Sequence, residues 1–326
     1  MKMIFLKYIL KTIMKKRNKT NFKLSIVAPV YNETENIASF YSRLKKSVKK
    51  YKHEIIFIDD GSSDGSVGKL EQISKKDKQT KVLIFSRNFG HQIAITAGID
   101  NSSGDATVII DSDLQDPPEL IPSLVSKWLG GYEVVYAVRR ARKDSWFKKI
   151  TASIFYKILV SITEIKIPAN TGDFRLIDKK VASELSKMPE KSRFIRGLVP
   201  WIGFSQTSVF FNRDKRHHGK TKYSFGKMLK LSLHAITSFS NFSLKLISYA
   251  GFILFIVGFL GGIGVIIFRS VMAGNLYLIL LLISVIALTS GLILIALGIL
   301  GEYVGRIYTE TQNRPLYIIK DKINFR

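Results

Sequence analysis

From Leu24 onward, short apolar runs rich in β-branched residues alternate with longer segments of helical period. Leu24–Val30, Glu54–Ile58, Lys81–Phe85, Ala106–Ile110 and Tyr132–Val138 read as buried strands. Helical segments lie between them: one to about Lys50, one after Ser66 and one to about Ile99. Strands separated by helices predict an α/β domain, a parallel sheet with helices on both faces. Turn-forming polar loops follow the strands at Tyr31–Asn36, Asp59–Ser66 and Ser86–His91. Thr34 or Asn32 is the expected cap of the first helix, and Ser63 or Asp64 that of the second. After Ile110, Pro117-Pro118 bars an immediate helix.

The pattern changes in the last third. Leu246–Phe268 and Leu276–Leu300 are apolar stretches without a charged residue. Each is longer than the roughly 20 residues that cross a bilayer, and together they predict a two-helix transmembrane hairpin. Just before them, Phe225, Met228, Leu229, Ile236 and Phe239 recur at helical spacing with Lys227 and Lys230 offset, as in a helix lying in the membrane interface. The expected organisation is a basic N-terminal arm (1–23), an α/β domain (24–224), an interfacial amphipathic helix (225–245), two transmembrane helices (246–300) and a basic tail (301–326).

Charge then orients the chain. Lys+Arg number 50 against 25 Asp+Glu, a formal net charge of +25. Residues 1–23 carry eight bases and no acid, and Lys7 and Lys11 interrupt any signal-peptide core, so the arm is expected on an anionic leaflet. Lys222, Lys227, Lys230 and Lys245 precede the hairpin, and Arg306, Arg314, Lys320, Lys322 and Arg326 follow it. Its connector holds only Arg269. The positive-inside rule therefore places the catalytic domain and the tail in the cytoplasm and the connector outside, as a multi-pass protein of the cell membrane. Residues 139–149 contain six bases with Trp146 and Phe147 among them, but no nucleic-acid recognition module accompanies the patch, and nucleic acid is not an expected partner. The absence of cysteine excludes disulfides, thiolate catalysis and zinc–cysteine sites.

The chemistry centres on the end of the fourth apolar run, Asp111-Ser112-Asp113. Two aspartates one residue apart at the carboxyl end of a parallel strand can share a hard divalent cation, which in turn holds a diphosphate. No Gly-x-Gly-x-x-Gly follows the first strand, so a dinucleotide fingerprint is absent. His217-His218 are adjacent in a loop with no third ligand nearby and do not read as a metal pair.

Four motifs occur in order: Val27-Ala28-Pro29-Val30-Tyr31-Asn32-Glu33, Ile58-Asp59-Asp60-Gly61-Ser62-Ser63-Asp64, Arg87-Asn88-Phe89-Gly90 and Asp111-Ser112-Asp113-Leu114-Gln115-Asp116-Pro117-Pro118. Together they resemble the inverting family 2 glycosyltransferases of GT-A (Rossmann-like) fold. More narrowly, Leu24 to Arg306 is similar to the polyprenyl-phosphate glycosyltransferases. The resemblance implies a nucleoside pocket at Pro29, Tyr31, Glu33 and Asp60. It also implies Mg²⁺ or Mn²⁺ held against the diphosphate by Asp111, Asp113 and Gln115, with Ser112 on the donor side. Arg139 then serves the phosphate side, with Lys148 and Lys149 as companions. Arg216 and Lys222, matching a basic loop of the family, grip the acceptor phosphate. Asp173, in Thr171-Gly172-Asp173-Phe174-Arg175, becomes the candidate general base or acceptor-orienting carboxylate, alongside Asp113 as a catalytic residue. A structural ion pair of Asp173 with Arg175 or another base stays open, because a phosphate monoester, with a second pKa of roughly 6, needs little deprotonation.

The implied reaction moves a hexose, glucose by preference, from a nucleotide diphosphate sugar such as UDP-glucose to undecaprenyl phosphate. The implied partners are the bilayer, a flippase, a second glycosyltransferase and a homo-oligomer, a tetramer. Other sugars (GDP-mannose, UDP-N-acetylhexosamine), a processive polysaccharide synthase and a non-catalytic membrane scaffold remain as alternatives. The synthase is disfavoured by the small number of apolar spans and by the lack of Gln-x-x-Arg-Trp before Trp201.

Overall fold

The computed structural model describes residues 21–139, 171–211 and 275–325. The chain divides into two compact units, one holding residues 1–160, 165–224 and 315–326, the other 161–164 and 225–314.

The first unit is built on an eight-stranded sheet of order β7-β5-β6-β4-β1-β2-β3-β8. Its strands are β1 (Lys23–Val30), β2 (Lys52–Asp59), β3 (Thr80–Phe85), β4 (Ala106–Ile109), β5 (Val134–Arg139), β6 (Thr171–Asp178), β7 (Gln206–Phe211) and β8 (Ile319–Ile323). The expected runs at β1 to β5 are all strands, and β1 to β4 pair in parallel. The sheet is nevertheless mixed, because β6 runs antiparallel to both β4 and β5, and β8 antiparallel to β3. Neither strand was visible as one. β6 carries a buried Asp173 and Arg175, and β8 alternates too little on an edge that faces water.

Both faces of the sheet are covered. Ile26, Ala28, Phe57 and Val108 pack under Ile37, Phe40 and Leu44 of α1 (Thr34–Val48) and Leu124 and Trp128 of α4 (Ile121–Leu129). Val27, Ile56, Ile58 and Leu83 on the other face meet Ala94 and Ala97 of α3 (His91–Asp100). Between these helices come α2 (Ser66–Lys76) and a 3-10 turn, Pro118–Leu120, which delays α4 as the double proline requires. Helices α5 (Lys179–Lys187) and α6 (Ile195–Trp201) follow β6.

The expected caps work differently. Glu33 is the residue before α1 and makes no side-chain cap, while Asn32 stands at φ 52. Asn32 Oδ1 accepts from the Ser63 amide, and Thr34 Oγ1 donates to the Asp64 carbonyl. Asn32 and Thr34 thus sew the first loop to the second, while Asp64 Oδ1 accepts from the Ser66 amide at the start of the next helix at 3.0 Å. Gly61, at φ 71, lies so close to the Arg87–Asn88 backbone that a Cβ would approach to 2.6 Å, which joins the third loop to them.

In the second unit α7 spans Asn275–Thr311, 37 residues, and no charged residue precedes Glu302 in it. Counting only residues whose side chains are described, no helix is long and apolar enough to cross a membrane; the backbone helix itself is about 55 Å long at 1.5 Å per residue. The helix passes the expected end of the second apolar span at Leu300. The segment 301–326 is therefore not a simple tail: it continues α7 and then forms β8, a strand of the first unit's sheet. Residues 1–20 of the N-terminal arm, the interfacial helix and the first apolar span lie outside the described residues, and Lys23, at the arm's end, already begins β1.

Candidate active site

Pairing brings the chemistry to one edge of the sheet. The carboxyl ends of β1, β2 and β4 point the same way because those strands are parallel. Ile109 stands opposite Arg175, so the start of antiparallel β6, with Asp173, meets the end of β4 and Asp111. Val138 stands opposite Thr171, and from the next position the Arg139 side chain reaches back to Gly172.

The acidic turn is fastened at several points. Ser112 Oγ donates to the Pro29 carbonyl at 2.9 Å in a buried contact, tying the turn to β1. Leu114 takes a left-handed conformation, φ 62, with its side chain buried in the core. Such a conformation costs a non-glycine residue about 1 kcal/mol or more, here offset by burial. It turns the chain so that the Gln115 amide donates to Asp113 Oδ1 at 3.1 Å. Asp116, buried, accepts from Arg139 Nη2 at 3.3 Å. Gly172 leaves the passage for that arginine, since a Cβ there would lie 2.9 Å from Arg139 Nη2.

At the centre stand His91, Asp111 and Asp173. His91 Nε2 lies 3.4 Å from Asp111 Oδ1 and 3.3 Å from Asp173 Oδ2. Asp173 is held by a bidentate guanidinium: Arg196 Nε donates to Oδ1 at 2.8 Å and Nη2 to Oδ2 at 2.7 Å. Arg175, fully buried, is farther from the carboxylate at 3.9 Å and instead donates to the carbonyls of Gly172 and Asp173. Of the two ion pairs open for Asp173, the close one is thus with Arg196. Burial alone raises a carboxyl pKa, but Arg196 and His91 outweigh it and hold Asp173 well below the usual carboxylate range. Asp111 goes the other way: burial, with Asp173, Asp116 and Asp113 nearby, pushes its carboxyl up against the pull of His91. Burial disfavours the imidazolium of His91, yet Asp111 and Asp173 raise its pKa to about 9.

On the nucleoside side, Pro29 is buried at the end of β1, Tyr31 is exposed beyond it, and Glu33 Oε2 accepts from Asn36 Nδ2 at 2.6 Å. Asp60 is buried and fully engaged by the third loop. Its carboxylate accepts from the Phe89 amide at 2.7 Å, the Gly90 amide at 3.0 Å and Asn88 Nδ2 at 3.0 Å. Its neighbour Asp59 accepts from the Ser62 amide on Oδ2, whereas its buried Oδ1 has no hydrogen-bond partner. Arg216, Lys222, Lys148, Lys149 and the His217-His218 pair lie outside the described residues.

Residues 25–186 match the family described as Glycosyl transferase family 2. The uncharacterized glycosyltransferase YkcC of Bacillus subtilis is 50% identical over 92% of this chain and 94% of its own. The chain belongs to glycosyltransferase family 2. A prophage bactoprenol glucosyl transferase homolog of Escherichia coli is 41% identical to this transferase over 91% of this chain and 98% of its own. The bactoprenol glucosyl transferase of Shigella phage SfX is 40% identical over 92% of this chain and 99% of its own.

The transferase has a place suited to a divalent cation. Asp111 Oδ1 is buried, and His91 approaches it only at ion-pair distance, without the geometry of a hydrogen bond. His91, Asp111 and Asp173 offer ligand atoms within 4.8 Å of one another. Because Asp173 is committed to Arg196, Asp111 is the member best able to bind the ion. Carboxylate oxygens suit Mg²⁺ or Mn²⁺, whereas the His91 imidazolium would have to lose its proton to join them.

The sequence did not mark His91, Arg196, Asp116 or Asp59 as site residues. His91 had a signal, since it directly follows the Arg87-Asn88-Phe89-Gly90 motif and begins α3. Arg196 had none, because its pairing with Asp173 is created by the fold.

Proposed function

We propose that this glycosyltransferase moves glucose from UDP-glucose to undecaprenyl phosphate at the cytoplasmic face of the cell membrane, with inversion. The carrying observation is the likeness to bactoprenol glucosyl transferases, 40–41% identical across 91–92% of this chain and nearly all of theirs.

In this reading the nucleoside lies against Pro29, Tyr31 and Glu33, and the unpartnered Asp59 Oδ1 accepts a hydrogen bond from it. Asp60 shapes the pocket by holding the third loop. Asp111, Asp113 and Gln115 would hold Mg²⁺ or Mn²⁺, with His91 close by, and that ion would supply positive charge to the leaving diphosphate. A lipid-phosphate oxygen forms its bond to the anomeric carbon as the bond to the diphosphate breaks on the opposite face. Arg139, with Arg216 and Lys222 beyond the described residues, provides the positive field for those phosphates. Asp173 removes no proton. Clamped by Arg196 and already ionised, it fixes His91 at the edge of the acidic turn, and the acceptor, ionised near pH 7, needs no base.

The apolar spans 246–268 and 276–300 are proposed as the transmembrane hairpin. Support comes from α7, whose described side chains include exposed Leu282, Ile286, Ile293, Leu297 and Leu300. It comes also from β8, which pairs with β3. Residues before and after the spans then share one sheet, so the chain between crosses an even number of times.

The test uses purified full-length protein in detergent with undecaprenyl phosphate, Mn²⁺ and labelled UDP-glucose, GDP-mannose or UDP-N-acetylglucosamine. Label should reach the lipid from UDP-glucose. Transfer from another donor alone would replace the sugar, and transfer from none would favour a scaffold.

A further inference from the structure

The stretch from Pro315 to Phe325 has no part in the chemistry above, yet it is bound closely to the donor side. Phe85 of β3 pairs with Ile319 of β8, and one residue further the Ser86 amide donates to the Ile318 carbonyl at 3.0 Å. Ser86 is the first residue of the loop whose amides hold Asp60. The side chains repeat this connection. Tyr317 stacks on Phe85 with centroids 5.3 Å apart and an interplanar angle of 15°. Phe85 meets Phe89 edge-on at 5.6 Å, and the Arg87 guanidinium covers the Phe89 ring at 4.0 Å. The Phe89 amide makes the shortest of the bonds to Asp60.

The strand is itself anchored. Tyr317 Oη donates to Asp100 Oδ2 at 3.2 Å, at the end of α3. Asn324 Nδ2 donates to the carbonyls of Ser74 at 2.8 Å and Thr80 at 2.7 Å. Lys81 and Lys322 lie over the Phe325 ring at 4.9 and 5.8 Å.

We infer that the C-terminal strand is a positioning element of the donor site, with Tyr317 its principal residue. Through Phe85 and Phe89 it fixes the Ser86–Gly90 loop and with it the Asp60 end of the nucleotide pocket. This rests on the reading of that pocket as the nucleotide's. The physical reason is that Asp60 is a desolvated carboxylate supported by donors of this one loop, so a shift of the loop moves the group that shapes the pocket. A misplacement near 1 Å at such a group costs up to about a hundredfold.

Calorimetric titration with UDP and Mn²⁺ tests it on the full-length protein in detergent, beside KM for each substrate and thermal melting. Tyr317→Ala should weaken UDP binding on the order of tenfold and raise donor KM, with KM for polyprenyl phosphate unchanged. Tyr317→Phe keeps the ring without the bond to Asp100 and should bind as wild type. Tyr317→Leu keeps apolar volume without the ring and should behave as Tyr317→Ala; it decides the matter if Tyr317→Ala does not fold. UDP binding unchanged in Tyr317→Leu, whatever its melting temperature, overturns the inference and leaves β8 a merely structural strand. A wild-type protein that binds neither UDP nor GDP overturns the nucleotide reading and this inference with it.

Discussion

Asp173 and Arg196 form the pair on which the reading of the chemistry turns. If Asp173 works by being held, the two residues act as one unit. Asp173→Asn and Arg196→Ala should then each lower kcat on the order of ten- to a hundredfold, the worth of a charge-assisted bond. The double variant should be no worse than either single one. A general base would show otherwise: Asp173→Asn would abolish transfer while Arg196→Ala spared it. Asp111 carries a separate expectation. Asp111→Asn should remove Mn²⁺ binding in a calorimetric titration, together with a loss of transfer on the order of 10²–10³-fold. Retained Mn²⁺ affinity would place the ion elsewhere. The aspartates of the turn were legible because two of them end an apolar run. The commitment of Asp173 to Arg196 was not, because a bidentate pair between β6 and α6 depends on where α6 is packed.

At the scale of elements, β2 is secured at the end of the sheet away from the chemistry. Burial disfavours the Glu54 carboxylate, but Lys23, Ser25, the Ser103 amide and Lys81 outweigh it and lower its pKa to about 2. A carboxylate whose pKa falls on folding stabilises the fold above its unfolded value, near 4.5, and that stability is lost as pH drops toward 2. The shift corresponds to about 3 kcal/mol. Unfolding midpoints in urea, followed by tryptophan fluorescence, should fall over that acid range in the wild type. In Glu54→Gln they should be lower at pH 7 and fall less steeply over the acid range, the remaining slope coming from other depressed carboxylates such as Asp77 and Asp173. An equally steep acid limb in the variant would move the effect to other carboxylates. The strands around Glu54 were readable as buried apolar runs, whereas β6 and β8 were not. One hides charged side chains inside the protein and the other shows them at an edge, and both break the alternation by which strands are recognised.

For the whole molecule, β8 joins the two ends of the described chain in one sheet. With the proposed hairpin, residues on either side of it face the cytoplasm and the connector faces out. The protein has no cysteine of its own, so single cysteines at Asn275 and Asn313 report cleanly. An impermeant maleimide applied to intact cells should label the first and not the second. Labelling at Asn313 from outside would contradict the even crossing.

The amino-acid sequence by itself determined the α/β class, the polar loops at the strand ends, the paired aspartates and the apolar spans. Each of these is written in neighbouring residues, through hydrophobic period or turn chemistry. Only the tertiary structure decided that Asp60 is engaged by the loop of Phe89 and Gly90, that Arg139 passes Gly172 to reach Asp116, that Arg196 clamps Asp173, and that the supposed tail closes the sheet beside β3. These arrangements rest on strand register and close packing between segments distant along the chain, and a local pattern of residues does not encode which distant partner a buried charge or an edge strand will meet.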